Sequence, residues 1–466
     1  MKNLILSVDI GTSSLKAALI DFDGRLHAFS RLPCTIGSKA SVWETAFSRA
    51  LKDLMEQMDQ AGGNSPGNLS IECICVSGNG PTLVPVNRKG KDMQPIYWFG
   101  ARCPWDKEIP SFFLPYIVCY RKKKPFKYHK TSVFFSSHEW LSHRLGAEPF
   151  TALPNDAYES FYWDEEQCRL LGLDIKKFPP FVKTGSIAGK LSEEAARRFP
   201  GLKGGTPIIA GGPDFFTALI GTGTFKSGDV CDRAGTSEGI NVCAAGQLNE
   251  NGLNLSGLNA SGLSESGIKV LPHIIEGLFN VGSMVRSSGY VFEHYRKITG
   301  QENRPYEELL LDLIPPESGI KAFEDELHFP NEMIALGRAV LCRIAYAVRT
   351  TLNTLKEAGF PVKTMTASGG QGKNRLWNQL KADITGVTLV IPEIRDGELA
   401  GNAVLCAAAL ASPGGSCSSG DILSAAARMI RSAESYEPRA ETASFWDGQY
   451  DEYIHINHDK TSIPPK

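Results

Sequence analysis

Residues 6–19, LSVDIGTSSLKAAL, contain the pattern that decides the fold prediction. An apolar segment runs directly into the carboxylate of Asp9, a turn of small residues follows at 11–14, and a second apolar segment begins behind it. Asp-Gly at 23–24 separates this segment from a third one, and Asp-Gly between apolar runs is a strong signal for a β-hairpin. We therefore predict a meander of three strands over residues 3–31, with a carboxylate at the end of the first strand.

The rest of the chain alternates strand-like and helical segments, which favours an α/β fold. The tripeptide GTS occurs at 11–13 and again at 235–237, each time between apolar strand-like segments. Such an echo is what two related half-molecules, each with its own turn, would show. A chain of 466 residues also exceeds one ordinary core, so two domains are expected. We predict them at 1–225 and 226–466.

Charge and composition exclude several classes of function. The formal net charge is −2 and 21% of the residues are charged, so no general basic field favours nucleic acid or a membrane surface as a partner. The eleven cysteines include no Cys-x-x-Cys pair, so neither a zinc site nor a thioredoxin-like motif is indicated. Asp9 interrupts the first apolar segment too early for a signal peptide. We expect a cytoplasmic protein with reduced thiols.

The two GTS turns have the composition of phosphate-binding loops. Gly, Thr and Ser in a turn direct backbone N–H groups and hydroxyls into one small space, which is an anion-binding concavity. The residues concerned are Gly11, Thr12, Ser13, Gly235, Thr236 and Ser237. Asp9 would repel a phosphate at the first turn unless a divalent cation lay between them, and Mg²⁺ is held by one or two carboxylates, water and phosphate oxygens. Lys16 adds positive charge nearby; the alternative for Asp9 is that it caps its own turn.

Asp214 is the second carboxylate that the sequence singles out. It follows a buried strand and two glycines and precedes Phe215, so we expect it at the carboxyl end of a sheet, where ligands usually bind. Phosphoryl transfer needs a carboxylate that accepts the proton of the attacking hydroxyl. The alternative is a helix N-cap, for which Asp is also preferred, and the two roles can coexist. SGGQ at 368–371 ends a strand and opens a helix, which suits a ribose or adenine held against backbone.

Taken in order, these segments resemble the motifs of FGGY-family carbohydrate kinases, above all xylulokinase-like members, in the actin/Hsp70-like superfamily. The segments are DIGTSSLKA at 9–17, GTPIIAGGPD at 205–214, AGTSEG at 234–239 and SGGQGKNRLWNQLKAD at 368–383. The resemblance covers nearly the whole chain. It implies two RNase H-like domains that flank a deep cleft, with the sugar mainly on the first domain and ATP with Mg²⁺ mainly on the second.

The resemblance also implies roles for individual residues. Asp214 matches the catalytic base and Asp9 matches the carboxylate near Mg²⁺, so both are candidate metal ligands. The implied nucleotide side comprises Gly11, Thr12, Ser13, Lys16, Gly235, Thr236, Ser237, Gly369, Gly370, Gln371 and Asn374. The family reads its sugar where this chain has SGNGPTLV at 77–84 and PIYWFGAR at 95–102, the latter predicted as a strand. The implied sugar side comprises Asn79, Gly80, Trp98, Arg102, Asp214 and Phe215.

The chain departs from the family pattern mainly at the sugar. It has Gly78-Asn79-Gly80 where many members carry Met-His-Gly, and Phe215 where xylulokinases often carry Asn. Each change removes a polar group that could bond a hydroxyl, so a shifted substrate is expected. The leading hypothesis is an ATP-dependent kinase of a sugar, polyol or sugar acid, with a homodimer as the expected assembly. The alternative is a non-catalytic sugar or nucleotide sensor; an ATPase clamp of chaperone type would need a peptide-binding domain that no segment supplies.

Overall fold

The computed structural model describes residues 2–35, 37–60, 69–101, 103, 109–235, 238–249, 252–254, 268–285, 288–314, 323, 332–360, 362 and 364–461. The chain divides into two compact units. The first unit comprises Met1–Gly223, Pro272–Glu276 and Gly397–Ile430. The second unit comprises Thr224–Leu271, Gly277–Asp396 and Arg431–Lys466. The sequence predicts a single division at residue 225; the units divide at Gly223, and two later segments return to the first unit.

The secondary structure consists of nineteen strands and fifteen α-helices in the described part of the chain. The strands are β1 Lys2–Ile10, β2 Ser14–Asp21, β3 Leu26–Pro33, β4 Leu69–Gly78, β5 Leu83–Asn87, β6 Thr131–Ser136, β7 Thr151–Leu153, β8 Phe181–Lys183, β9 Ile187–Lys190, β10 Pro207–Ile209, β11 Asp229–Ala234, β12 Glu238–Ala245, β13 Gln247–Asn249, β14 Gly252–Asn254, β15 Lys269–Pro272, β16 Leu278–Val285, β17 Thr364–Ser368, β18 Thr388–Pro392 and β19 Ser432–Tyr436. The helices are α1 Ser41–Gln60, α2 Leu114–Lys123, α3 Pro125–Lys130, α4 Ser137–Leu145, α5 Glu159–Tyr162, α6 Glu165–Leu170, α7 Glu193–Arg198, α8 Asp214–Gly221, α9 Ser288–Ile298, α10 Tyr306–Leu313, α11 Glu332–Glu357, α12 Arg375–Thr385, α13 Gly397–Ala411, α14 Ser419–Met429 and α15 Ala443–Thr461.

The first unit is built on a six-stranded sheet in the order β3-β2-β1-β4-β10-β9. β1 pairs antiparallel with β2, and β2 pairs antiparallel with β3, which confirms the predicted meander. On its other side β1 runs parallel to β4. This register sets Asp9 beside Lys16 on one neighbouring strand and beside Ser77 on the other. The sheet thus brings three polar residues together where β1 ends.

The second unit repeats this topology within a seven-stranded sheet in the order β15-β16-β12-β11-β17-β18-β19. β11 pairs antiparallel with β12 and parallel with β17, just as β1 pairs with β2 and β4. The five strands from β16 to β18 therefore follow the same third-second-first-fourth-fifth order as β3 to β10. Each GTS tripeptide falls between the first two strands of its sheet. The prediction of two related half-molecules is confirmed at the level of topology.

The two faces of the first sheet are covered by different helices. Alternate residues of a strand point to opposite faces, and β1 contributes Leu4, Leu6, Val8 and Ile10 to a core with the apolar stripe of α1, which includes Trp43, Phe47 and Leu54. On the other face, Ser7 Oγ donates a hydrogen bond to the carbonyl of Leu399 in α13. Asp9, an odd-numbered residue, therefore lies on the side of the sheet that α13 covers.

Helix α13 is apolar on nearly all sides, and it is buried between strands β1 and β4 of the sheet and helix α8. Glycine makes the close approach to α8 feasible: a Cβ on Gly401 would lie 1.9 Å from the carbonyl oxygen of Thr217. In the second unit the long helix α11 places Val348, Leu352 and Leu355 in the core of the sheet. None of the helices in the described part of the chain combines the length and apolar character that crossing a bilayer requires.

Candidate active site

Asp9 is the centre of a buried charge cluster in the first unit. Its side chain is only 3% exposed, and Ser77 Oγ donates a hydrogen bond of 2.9 Å to its Oδ1. Lys16 Nζ lies 3.7 Å from Asp9 Oδ2 and 3.5 Å from Glu398 Oε2. One ammonium group is thus shared by two carboxyls that come from β1 and α13. With both carboxyls ionised, the cluster has one negative charge in excess.

The electrostatic surroundings of Asp9 disfavour its ionised form. Burial of the carboxyl raises the pKa of Asp9 to about 7, and the negative charges of Glu398 and Asp214 add to that effect. The charge of Lys16 and the hydrogen bond from Ser77 lower the pKa in part. The Asp9 and Asp214 carboxyls therefore lie close enough to repel one another. The structure thus brings together the two carboxylates that the sequence singled out.

The two carboxyls have the character of a magnesium site that water and phosphate would complete. Within the described ranges, no group of three or more His, Cys, Asp or Glu side chains could hold a metal ion. Mg²⁺ does not need such a cage, because it is commonly bound through one or two carboxylates together with water and substrate phosphates. A divalent cation would stabilise the ionised form of Asp9 against burial and against the charges of Glu398 and Asp214, which together raise its pKa. Asp9 and Asp214 are therefore the residues that could hold it.

A residue that sequence analysis missed, Asn402 of α13, orients the hydrogen bond to Asp9. Asn402 Nδ2 donates to the backbone carbonyl of Val8 at 2.9 Å and to Ser77 Oγ at 3.0 Å. Because the Ser77 oxygen accepts this bond, its own hydrogen is directed to Asp9. The available signal was an amide in the middle of an otherwise small and apolar helix, AGNAVLCAAALA, since a buried amide needs polar partners.

The first GTS turn lies directly against predicted sugar-side residues. The amide of Gly11 donates to the carbonyl of Ser14 at 2.9 Å and closes the turn between β1 and β2. Thr12 Oγ1 accepts hydrogen bonds from Trp98 Nε1 at 3.1 Å and from Asn79 Nδ2 at 3.4 Å. These two bonds occupy both lone pairs of the hydroxyl oxygen. The hydroxyl hydrogen of Thr12 is therefore left to donate to a different acceptor. Ser13 is exposed at the tip of the turn.

Asp214 lies next to the end of β4. Gly78 pairs with Pro213, and the amide of Gly78 donates to the carbonyl of Gly212 at 3.1 Å. Pro213 occupies the N-cap position of α8 and Asp214 is its first helical residue, so the alternative role of Asp214 as the N-cap is wrong. Phe215 is half-buried and packs on Phe216 with ring centroids 3.8 Å apart.

Gly80 and the PIYWFGAR segment complete this part of the first unit. A Cβ on Gly80 would contact the ring of Pro213 at 3.4 Å, so Gly80 adjoins the residue before Asp214. The prediction of a strand over 95–102 is wrong for the described residues 95–101: among them only Ile96 forms a β-bridge, and the amide of Gly100 closes a turn onto the carbonyl of Tyr97. The predicted site residue Arg102 lies outside the described residues.

In the second unit the GTS and SGGQ segments meet. Gly369 has φ +103°, and a Cβ there would lie 2.6 Å from the carbonyl oxygen of Ala234. Gly370 and Gln371 begin a 3₁₀ turn, and Gln371 Nε2 donates to the carbonyl of Gly235 at 3.2 Å. Asn374 Oδ1 accepts from the amide of Trp377 at 3.1 Å and caps α12. Of the remaining predicted nucleotide-side residues, Thr236 and Ser237 lie outside the described residues.

Comparison with known proteins finds the same family in the N-terminal half and in the C-terminal half of the chain. The model of the N-terminal domain of the FGGY family of carbohydrate kinases matches residues 110–221, and the model of its C-terminal domain matches residues 316–410. The xylulose kinase of Staphylococcus epidermidis is 22% identical over 506 aligned residues, which cover 97% of this chain and 96% of that protein. The autoinducer-2 kinase of Klebsiella pneumoniae is 22% identical over 471 residues, with coverages of 86% and 84%.

A solved structure has the same fold. The glycerol kinase of Plasmodium falciparum with ADP superimposes with a TM-score of 0.72 at 16% identity, covering 100% of this chain and 99% of that chain. At this identity the likeness concerns the fold alone. It confirms the predicted α/β fold class, which in each unit rests on the shared order of the five strands described above.

Proposed function

The chain belongs to the FGGY family of carbohydrate kinases, and we propose that it transfers the γ-phosphoryl group of ATP to a hydroxyl of a sugar, polyol or sugar acid, with Asp214 as general base. Enzymes of this family are phosphotransferases with an alcohol group as acceptor. The observation that carries the finer proposal is that the charge of Asp214, some two hundred residues away in the chain, adds to the burial that raises the pKa of Asp9. Structural networks also perturb pKa values, but here the perturbed group adjoins the first GTS turn.

In this proposal the residues of the first unit divide the work at the reacting atoms. Asp214 accepts the proton of the attacking hydroxyl, which lets the oxygen approach the phosphorus as an alkoxide-like nucleophile. The hydroxyl hydrogen of Thr12 and the backbone of the turn donate to phosphate oxygens. Asp9, when ionised, and Asp214 would hold Mg²⁺, which would supply positive charge against the phosphates. Lys16, shared by Asp9 and Glu398, limits the repulsion between these carboxylates and the phosphates.

On the nucleotide side, the proposal relies on the second unit. Gly369, Gly370 and Gln371 form the edge against Gly235, and backbone amides at such an edge suit the phosphates and ribose of a nucleotide. The ordering of two sequence motifs into one edge supports this role. ATP is the nucleotide that the family membership favours.

The identity of the acceptor is expected to differ from the sugars that a Met-His-Gly motif would bind. Asn79 stands within that motif, and its amide already donates to Thr12 and accepts from Ser137 Oγ at 3.2 Å. This side chain therefore has one amide hydrogen and one acceptor lone pair left for a substrate hydroxyl. Phe215 adds an apolar surface beside Asp214. A site with fewer polar contacts suits a smaller or less hydroxylated acceptor.

A direct assay tests the proposal. Purified protein is incubated with Mg·ATP and a panel of ketoses, polyols and sugar acids, and ADP release is measured. For an active acceptor, Asp214→Asn is expected to lower turnover by about 10²- to 10⁴-fold, the range for loss of a general base. Asp156→Asn, an exposed carboxylate in the same unit, is the matched control and should leave turnover unchanged. The proposal fails if no compound releases ADP above background and if Asp214→Asn alters nothing.

The engaged amide of Asn79 also favours the second candidate, a sugar or nucleotide sensor without turnover. Calorimetry separates the two functions because a sensor binds its ligand and releases no product. Saturable binding of a panel compound together with Mg·ATP, without any ADP release over hours, would support the sensor.

A further inference from the structure

Three ionisable side chains that have no part in the proposed reaction are buried side by side in the second unit. The ammonium group of Lys381 in α12 donates hydrogen bonds to Asp232 of β11 and to Glu238 of β12. All three side chains are at most 2% exposed. Because a buried ion is costly unless its partners are well placed, this arrangement constrains the positions of the strands and helix that contribute to it.

The two carboxyls of the cluster differ in their tendency to ionise. Burial and the neighbouring Glu238 raise the pKa of Asp232 well above its usual range, although Lys381 acts in the opposite direction. Burial also opposes ionisation of Glu238, but Lys381 and the hydrogen bonds to Glu238 outweigh it and lower the pKa of that carboxyl. Burial opposes the charge of Lys381 too, but the two carboxyls outweigh it and raise the pKa of the ammonium group. Lys381 and Glu238 are therefore the ion pair that the surroundings favour, and it joins α12 to β12.

A chain of hydrogen bonds leads from this ion pair to the proposed nucleotide edge. Ser288 Oγ at the start of α9 donates to Glu238 Oε2 at 2.5 Å. Gln371 Nε2 donates to Ser288 Oγ at 2.9 Å and to the carbonyl of Gly235 at 3.2 Å. Glu238 and Gly235 are the residues on either side of the Thr-Ser pair of the second GTS tripeptide. The ion pair is therefore linked to Gly235, which precedes the Thr-Ser dipeptide, and it contains Glu238, which follows that dipeptide.

We propose that Lys381 is a positioning residue for the nucleotide: through Glu238, Ser288 and Gln371 it fixes the edge formed by Gly235 and the SGGQ segment. The inference rests on the proposed function, because it takes this edge as the site of ATP. Lys381 itself does not touch the nucleotide. Its loss should weaken Mg·ATP binding while the acceptor site, which belongs to the first unit, keeps its affinity.

The test measures the dissociation constant of Mg·ATP by calorimetry and, for an active acceptor, the KM values of both substrates. Lys381→Met is expected to weaken Mg·ATP about tenfold, the loss of roughly one well-placed hydrogen bond, with the acceptor KM unchanged. Asp383→Asn is the matched control. Asp383 is buried in the same helix and accepts three hydrogen bonds from Arg439, so its loss should lower stability without changing Mg·ATP affinity.

A double-mutant cycle separates positioning from general destabilisation. In a Gln371→Ala background the link to Gly235 is already broken, so Lys381→Met should have little further effect on Mg·ATP affinity. If Lys381→Met does not fold, Ser288→Ala breaks the same chain without leaving a charge unpaired and should weaken Mg·ATP in its place.

The outcomes are distinct. If the wild-type protein binds Mg·ATP and Lys381→Met and Ser288→Ala bind it with the same affinity, the inference is overturned and the proposed function stays intact. Fully additive effects of the two substitutions in the cycle have the same consequence. A wild-type protein that binds no Mg·ATP would overturn both.

Discussion

Removal of the Ser77 hydroxyl tests the electrostatic account of Asp9 directly. Ser77 Oγ donates to Asp9 Oδ1 at 2.9 Å, and this bond lowers the pKa of a carboxyl that burial has raised to about 7. In Ser77→Ala the ionised form loses its donor, so the pKa of Asp9 should rise further. Because the proposed reaction needs Asp9 ionised beside Mg²⁺, the acidic limb of the pH–rate profile should move to higher pH.

The size of the shift follows from the energy of the lost bond. A hydrogen bond to a charged group contributes about 1.5 to 3 kcal/mol, which corresponds to roughly one to two pKa units at about 1.36 kcal/mol per unit. For a shift of one unit, the ionised fraction of Asp9 at neutral pH falls from about one half to about one tenth, so kcat/KM falls about fivefold. About two pH units higher, more than roughly nine tenths of Asp9 is ionised in both proteins and the loss should nearly vanish.

The assay is kcat/KM for an active acceptor, measured from about pH 5.5 to about 9.5, where the ascending limb reports the free enzyme. Because Asp9 interacts with neighbouring charged groups, the limb reports the cluster rather than Asp9 alone, so its displacement rather than its absolute position is compared. Ser142→Ala is the control, since this buried hydroxyl donates to the carbonyl of His138 at 2.9 Å and serves only α4. A limb that stays in place in Ser77→Ala, or a loss that is equal at every pH, would refute the reasoning.

Three further perturbations test neighbouring features. Glu398→Gln removes a charge that raises the pKa of Asp9, so the acidic limb should move to lower pH, opposite in sign to the serine variant. The pKa of Asp9 rises from 3.8 in the unfolded chain to about 7 in the folded protein, so ionisation destabilises the fold progressively as the pH rises across this interval. At pH 8, Asp9→Asn should therefore be more stable than wild type by up to about 4 kcal/mol and should unfold at a higher temperature. Below pH 3.8 the variant should have no advantage. Gly401→Ala would put a Cβ 1.9 Å from the carbonyl oxygen of Thr217 and should lower the free energy of unfolding by about 1 to 3 kcal/mol or more in denaturant titrations, whereas Gly420→Ala, whose Cβ would have only one ordinary contact at 3.6 Å, should be neutral.

The parts of the fold that local patterns control were predictable. The meander of β1 to β3 follows from apolar runs punctuated by small-residue turns, and the recurrence of GTS indicated the duplicated topology. The return of 397–430 to the first unit was not predictable from such patterns. The return results from packing between residues that are far apart in the sequence. Helix α13 is apolar on nearly all sides, and Gly401 permits its contact with α8. Nothing in the residues near 397 reveals which sheet they will cover.

The residues of the candidate site also divide into those that local sequence patterns reveal and those that they do not. Asp9 and Asp214 could be selected because carboxylates at strand ends beside glycines are unusual in buried segments. Ser77 and Glu398 could not, because they reach Asp9 through parallel strand register and through a helix nearly four hundred residues later. Asn402 is marked as a lone amide in an apolar helix, but the sequence does not reveal that its partner is Ser77. The failure at PIYWFGAR has a local cause: Trp98 turns to donate its indole N–H to the first GTS turn, which a continuing strand would prevent.

The duplicated topology has opposite charges at matched positions, and this difference bears on where a cation is needed. Asp9 stands two residues before the first GTS tripeptide, and Arg233 stands two residues before the second. A phosphate near the first turn would meet a buried carboxyl whose pKa is raised to about 7, and a divalent cation would offset the repulsion between them. Near the second turn, the permanent charge of a guanidinium would attract phosphate without a metal, and Lys381 pairs with the buried carboxyls there. Under the proposed function, the requirement for Mg²⁺ therefore arises at the first turn alone.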